Sequence, residues 1–267
     1  MRYKRYTKVI MAVLAVFGFG ATPASSQAKA ELIQKAQSAY YNIPKRGVAE
    51  FQCSITPDWT TMLAEQLKTE VKPDNPGLTL LRGVHFWVSV SGTGKTKLSH
   101  EADVSPMSKS DLDNFQKAIG GVEETVDGFW KSASIFLLTS AFPRPETAYG
   151  LTEKDGSYVI SYAEGKYDVV TTLAKDDYAI AEIKVTSSAL SSSLKPKFTK
   201  ADGALLLVGY DSEYRLGSEG RSHISVQIKY QDVEGLHLPS DLAIQTSTDV
   251  GSNEMRLHLA DYQIKRR

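Results

Sequence analysis

A single cysteine in 267 residues leaves no partner for an internal disulfide, which excludes a cystine framework as the source of stability. Charge of one sign is equally lacking, since 31 Lys and Arg stand against 31 Asp and Glu. Zero formal charge gives no electrostatic footprint for nucleic acid. Long apolar runs are missing too: Val9–Gly20 has twelve residues, well short of the ~20 that a membrane-spanning helix needs. There is no Gly-x-Ser-x-Gly elbow and no Cys/His spacing of a zinc site. What remains is an ordinary globular composition, 42% apolar and 23% charged, which excludes overall disorder.

The first residues have a plan of their own. Arg2, Lys4, Arg5 and Lys8 precede the apolar run, and the small, polar stretch Ala21–Ala28 follows it. This order is that of a secretory signal over residues 1–28, with Ser26-Gln27-Ala28 as the cleavage site and Ala24 as an alternative. No cysteine lies near the cut, so the new terminus is not expected to carry a lipid. Removing the leader takes away four cations and no anion, and leaves a mildly acidic protein. Residues 29–267 are then expected to form a single domain in the periplasm or outside the cell.

Helical spacing is seen over Ala30–Tyr41 and Pro57–Val71, the second with Thr56 as its N-cap. Gly47–Thr56, Gly83–Ser91 and Thr96–Glu101 read as strands. The longest helical region is Ser110–Phe142. Leu112, Phe115, Ile119 and Val122 share one face of its first part, and its second part is apolar around most of its circumference. Gly120, Gly121 and Gly128 are expected to bend or split it. From Gly150 onward the texture changes to short β-rich runs separated by tight turns, the signature of antiparallel hairpins. The serine-rich run Ser187–Ser193 is expected to be a long loop of the sheet. About nine or ten strands result, and an open sheet that large curls. The expected class is α+β: one strongly curved antiparallel sheet, an unclosed half-barrel, with helices packed in its concave face.

Motifs for catalysis are weak. Ser91-Gly92-Thr93-Gly94-Lys95-Thr96 resembles a phosphate-binding loop, but Ser89 stands where the first glycine belongs. The residues after it alternate like a strand, whereas a phosphate loop must open a helix. The five histidines, His85, His100, His223, His237 and His258, lie in separate segments without helical i, i+4 spacing. Four of them are expected on solvated or half-buried strand faces, and a metal site has no support from their spacing. Glu123-Glu124 and Asp176-Asp177 suit solvated surface. Cys53 alternates with Phe51 and Ile55, so it is expected buried and inert. Thirteen Tyr, nine Phe and three Trp supply either an ordinary core or the wall of an apolar pocket. Phe86, Phe129, Trp130, Phe136, Leu137 and Phe142 are the candidate ligand-binding residues.

The C-terminal third carries a succession of motifs: Gly203–Asp211, Ile224–Tyr230, Gly235-Leu-His-Leu-Pro239 and Leu257–Lys265 with its Asp261-Tyr262. Over Tyr158–Lys265 the chain resembles the periplasmic lipoprotein-carrier and lipoprotein-sorting superfamily. That resemblance implies a curved, unclosed antiparallel barrel with helices as an internal lid. It also implies binding of lipids or lipoprotein acyl chains in the concavity, without a cofactor.

The expected function is therefore that of an exported, non-enzymatic, monomeric protein binding a lipid or other lipophilic molecule between sheet and helices. Transient contact with a membrane or an envelope protein is expected, and none with nucleic acid. The alternative is an envelope structural or interaction module whose core is fully packed. A third reading is a hydrolase without a recognisable motif.

Overall fold

The computed structural model describes residues 26–103, 109–216, 220–249 and 251–267. Most of the expected leader, residues 1–25, lies outside them, and Ser26-Gln27-Ala28 opens the first helix. The helices are α1 (Ser26–Ser38), α2 (Trp59–Leu67), α3 (Pro76–Arg82) and α4 (Lys109–Leu137). The strands are β1 (Val48–Pro57), β2 (His85–Ser91), β3 (Thr96–Glu101), β4 (Tyr149–Lys154), β5 (Ser157–Glu164) and β6 (Tyr167–Ala174). They continue as β7 (Ile180–Thr186), β8 (Leu190–Ala201), β9 (Ala204–Leu216), β10 (Arg221–Val233), β11 (Leu236–Thr248) and β12 (Gly251–Arg266).

All twelve strands form one antiparallel sheet in the order β3-β2-β1-β12-β11-β10-β9-β8-β7-β6-β5-β4. From β4 to β12 the chain simply meanders, and β1 then pairs with β12. β3 and β4 are the two free edges, so the sheet is curved but open, and α4 carries the chain from one edge towards the other. At 1.5 Å per residue its 29 residues span ~43 Å.

Alternation fixes which face of the sheet is greasy. Phe51, Cys53 and Ile55 on β1, Phe86, Val88 and Val90 on β2, and Met255, Leu257 and Leu259 on β12 are all buried, while their neighbours in sequence are more exposed. The helices cover that same face. Trp130 of α4 meets Phe51 at a ring distance of 5.5 Å, Phe136 meets Phe198 of β8 at 5.6 Å, and Trp59 of α2 meets Phe86 at 6.3 Å. Apolar residues of all four helices and of the sheet make one continuous buried cluster.

α4 runs unbroken through its glycines. A β-carbon built at Gly120, Gly121 or Gly128 would meet nothing within 4 Å, so these positions serve no close approach. Each costs the helix ~1 kcal/mol relative to Ala. That cost is offset by the buried stripe Phe115, Ile119, Val122, Val126, Phe129, Trp130, Ala133, Phe136 and Leu137. The stripe recurs at three- and four-residue steps. Packing overrides propensity here.

Other boundaries moved for local reasons. Pro57 remains in β1, and Asp58 caps α2 in place of Thr56, its carboxylate accepting from Thr61 N at 3.1 Å and Thr61 Oγ1 at 2.7 Å. Asn75 caps the extra helix α3 by accepting from Leu78 N at 3.1 Å. α1 stops at Ser38 because Ala39–Tyr41 joins the sheet: Leu205 N donates to Ala39 O at 2.7 Å, and Tyr41 N donates to Leu205 O at 3.0 Å. The serine-rich segment is not a loop for most of its length, since β8 starts at Leu190 and pairs with β7 and β9.

Candidate functional site

The six sequence-predicted ligand residues are all in the core. Phe86, Phe129, Trp130, Phe136, Leu137 and Phe142 are each buried, with exposures from 0% to 6%. Phe129 packs edge-on against Trp130 at 5.0 Å, and Phe142 packs edge-on against Tyr40 at 5.7 Å. Phe136 and Phe142 line a cavity of 110 Å³ beside Tyr40 and Ile135. That volume lies below the ~300–1,000 Å³ typical of ligand pockets.

Hydrogen bonding consolidates this packed region. Tyr40 Oη donates to Tyr178 O at 2.6 Å and accepts from Ile180 N at 2.8 Å. Tyr262 Oη donates to Pro239 O at 2.6 Å, and Tyr230 Oη donates to Leu207 O. Burial raises the pKa of all three phenols, because the phenolate would lose its hydration. Cys53 lies on the same face with 0% exposure, and burial pushes its thiol up to about 12. It is a packing residue at neutral pH.

A larger space opens at the edge of the sheet. Between β3 and the first half of α4 lies a groove of 660 Å³. Its strand side is His100, Glu101 and Ala102, and its helix side is Leu112, Phe115, Gln116, Ile119, Gly120 and Glu123. Local structure explains the set. Positions 112, 115, 116, 119, 120 and 123 fall on one face of a helix. Phe115 and Ile119 belong both to this face and to the buried stripe, so they form the floor. Gly120 contributes no side chain, which leaves the groove open midway along the helix.

Polar groups border the groove. His100 sits opposite Phe86 in the β2–β3 pairing, on the greasy face, and its ring lies 5.8 Å from that of Phe86. His100 Nδ1 is 2.9 Å from Glu123 Oε1, and both side chains are more than a third exposed, at 37% and 39%. One turn further on, Thr96 Oγ1 donates to Asp127 Oδ1 at 3.2 Å and Lys131 Nζ reaches Asp127 Oδ2 at 2.5 Å. Lys131, with a smaller contribution from Thr96, holds the Asp127 carboxyl below the usual carboxylate range. These contacts fasten α4 along the edge strand.

Glu123 thus has a defined partner, where its sequence neighbourhood suggested plain solvated surface. Two other histidines also meet carboxylates: His258 Nδ1 lies 3.0 Å from Asp241, and His237 Nε2 lies 3.4 Å from Asp202. Among the described residues no group of three or more His, Cys, Asp or Glu side chains is placed to hold a metal. The stretch Ser91–Thr96 is a hairpin turn, with Ser91 N donating to Lys95 O at 2.9 Å. Among the described residues no helix is long and apolar enough to cross a membrane.

The Leu112-Phe115-Ile119 stripe was visible in the sequence. Its juxtaposition with His100 and Glu101 was not, because that requires β3 to be an edge strand with α4 lying beside it. Comparison with protein-family models, with curated proteins and with solved structures finds no match to this chain.

Proposed function

We propose that the protein is exported and binds a lipophilic molecule in the groove between β3 and α4, without a cofactor and without catalysing a reaction. The observation that carries this reading is the groove itself. Its 660 Å³ falls within the range of small-molecule sites, and its apolar floor with a few convergent polar groups has the usual composition of one. The leader-like N-terminus and the resemblance of Tyr158–Lys265 to lipoprotein carriers support the reading.

The finer architecture belongs to the same proposal: the sheet is a half-barrel, and the helices lie in its concave face. Support comes from the two sides of one helical turn. Six strand spacings, or ~29 Å along a sheet, separate β2 from β8. Yet a β-carbon at Gly94, in the turn leaving β2, would lie 3.3 Å from Ser134 Cβ, and Phe198 of β8 touches Phe136. A helix is only ~10–12 Å across with its side chains.

A second reading is favoured by the burial of Phe86, Phe129, Trp130 and Leu137. In it the chain is an envelope structural or interaction module with a filled core. Native mass spectrometry of protein purified without detergent separates the two. A co-purifying lipid, or uptake of an uncharged fluorescent apolar probe that Gly120→Trp abolishes, is the expected result. A bare mass with no uptake gives the packed module precedence.

A further inference from the structure

Building on the reading of the β3–α4 groove as a ligand site, we propose that its occupant is a cationic amphiphile, a single hydrocarbon chain bearing an amine or quaternary ammonium head. The floor suits the chain, because Leu112, Phe115 and Ile119 offer hydrocarbon and no polar group. The border selects the head. Glu101 and Glu123 are carboxylates, and among the described residues no lysine or arginine lines the groove. The remaining titratable group there, His100, has Nδ1 against Glu123 at 2.9 Å. Lys131, further along α4, is held on Asp127 at 2.5 Å. An anionic head would meet two like charges, which disfavours it, while an ammonium head meets two opposite ones. The dipole of α4 would favour an anion, but that effect fades within the first turn. Glu123 lies about four turns from Lys109, so the carboxylates decide the sign.

Calorimetric titration of the full chain tests this with three probes of equal chain length: dodecyltrimethylammonium, dodecyl maltoside and dodecanoate, each below its micelle-forming concentration. The ammonium probe is expected to bind at least about tenfold tighter than dodecanoate, with the neutral probe between, and the gap should shrink in high salt. Glu101→Gln combined with Glu123→Gln should bring the three affinities within about threefold. If the double variant does not fold by circular dichroism, Glu101→Gln alone should narrow the gap. Gly120→Trp should abolish binding of every probe.

Three outcomes would overturn the inference. Dodecanoate binding as well as the ammonium probe refutes the head-group assignment and leaves the groove reading intact. Ammonium binding that survives Gly120→Trp is surface adsorption and refutes the assignment to this site. Failure of all three probes to bind removes the groove reading, and the inference with it.

Discussion

The two halves of α4 meet the sheet differently. From Val122 to Leu137 the helix is seated in aromatic and aliphatic side chains, with Trp130 and Leu137 at 0% exposure. From Leu112 to Glu123 one flank of the same helix borders a groove of 660 Å³. The contrast does not come from hydrophobicity alone, because Phe115 and Ile119 continue the same buried stripe. It comes from what lies opposite. The later half faces central strands that present Phe51 and Phe198, and the earlier half faces the edge strand β3, which presents His100. Among the described residues, the space there is lined by β3, Ala102 and α4 alone.

Truncation at the packed end should produce the largest effect. Trp130→Ala is expected to lose ~3–5 kcal/mol of stability in urea unfolding, because Phe51 and Phe129 cannot collapse into the vacated volume. A loss below ~1 kcal/mol would mean that this end is as open as the other.

The sheet beneath the packed end offers a milder probe. Cys53→Ser should lower stability by ~1–3 kcal/mol, the cost of a hydroxyl buried at a site shaped for a thiol. The native thiol should resist labelling by a thiol reagent at pH 8, since its pKa is raised to about 12. Rapid labelling would contradict the burial.

Phe115→Ala addresses the groove end, where one side of the ring already faces open space. A loss of ~1–2 kcal/mol is expected there, below the usual range for a fully enclosed phenylalanine. Equal losses at Phe115 and Trp130 would erase the distinction between the halves.

The smallest effect should have the opposite sign. Gly120→Ala removes a weak helix former where a new β-carbon meets nothing within 4 Å. It should raise stability by ~1 kcal/mol, read as a shift of the urea midpoint. Destabilisation would show that the groove is narrower at this turn than the backbone implies.

Much of the architecture was legible in the chain. Alternation placed Phe51, Cys53 and Ile55 on one buried face, and the hairpin turns after Gly150 announced an antiparallel meander. The misreadings share a cause. β8 hides behind serines, whose weak strand preference is overridden by pairing with β7 on one side and β9 on the other. With β4 as a free edge, the described residues carry twelve strands where about nine or ten were expected. Gly120, Gly121 and Gly128 suggested a broken helix, but the stripe from Phe115 to Leu137 outweighs their cost.

Side-chain periodicity by itself therefore placed most of the helices and strands and their greasy faces, since burial requires a pattern that recurs with the period of each element. Which strands became edges, and hence where the core stayed open, was a tertiary decision. The pairing of β1 with β12 brings together residues some two hundred positions apart, and no local pattern encodes that closure. Gly209 shows the same limit. A β-carbon there would lie 2.3 Å from Val226 O, an approach that exists only because β9 and β10 meet closely at this point. The groove has the same origin: Leu112, Phe115 and Ile119 supply its apolar floor, but only the placement of α4 along the edge strand β3 turns that stripe into one wall of a groove.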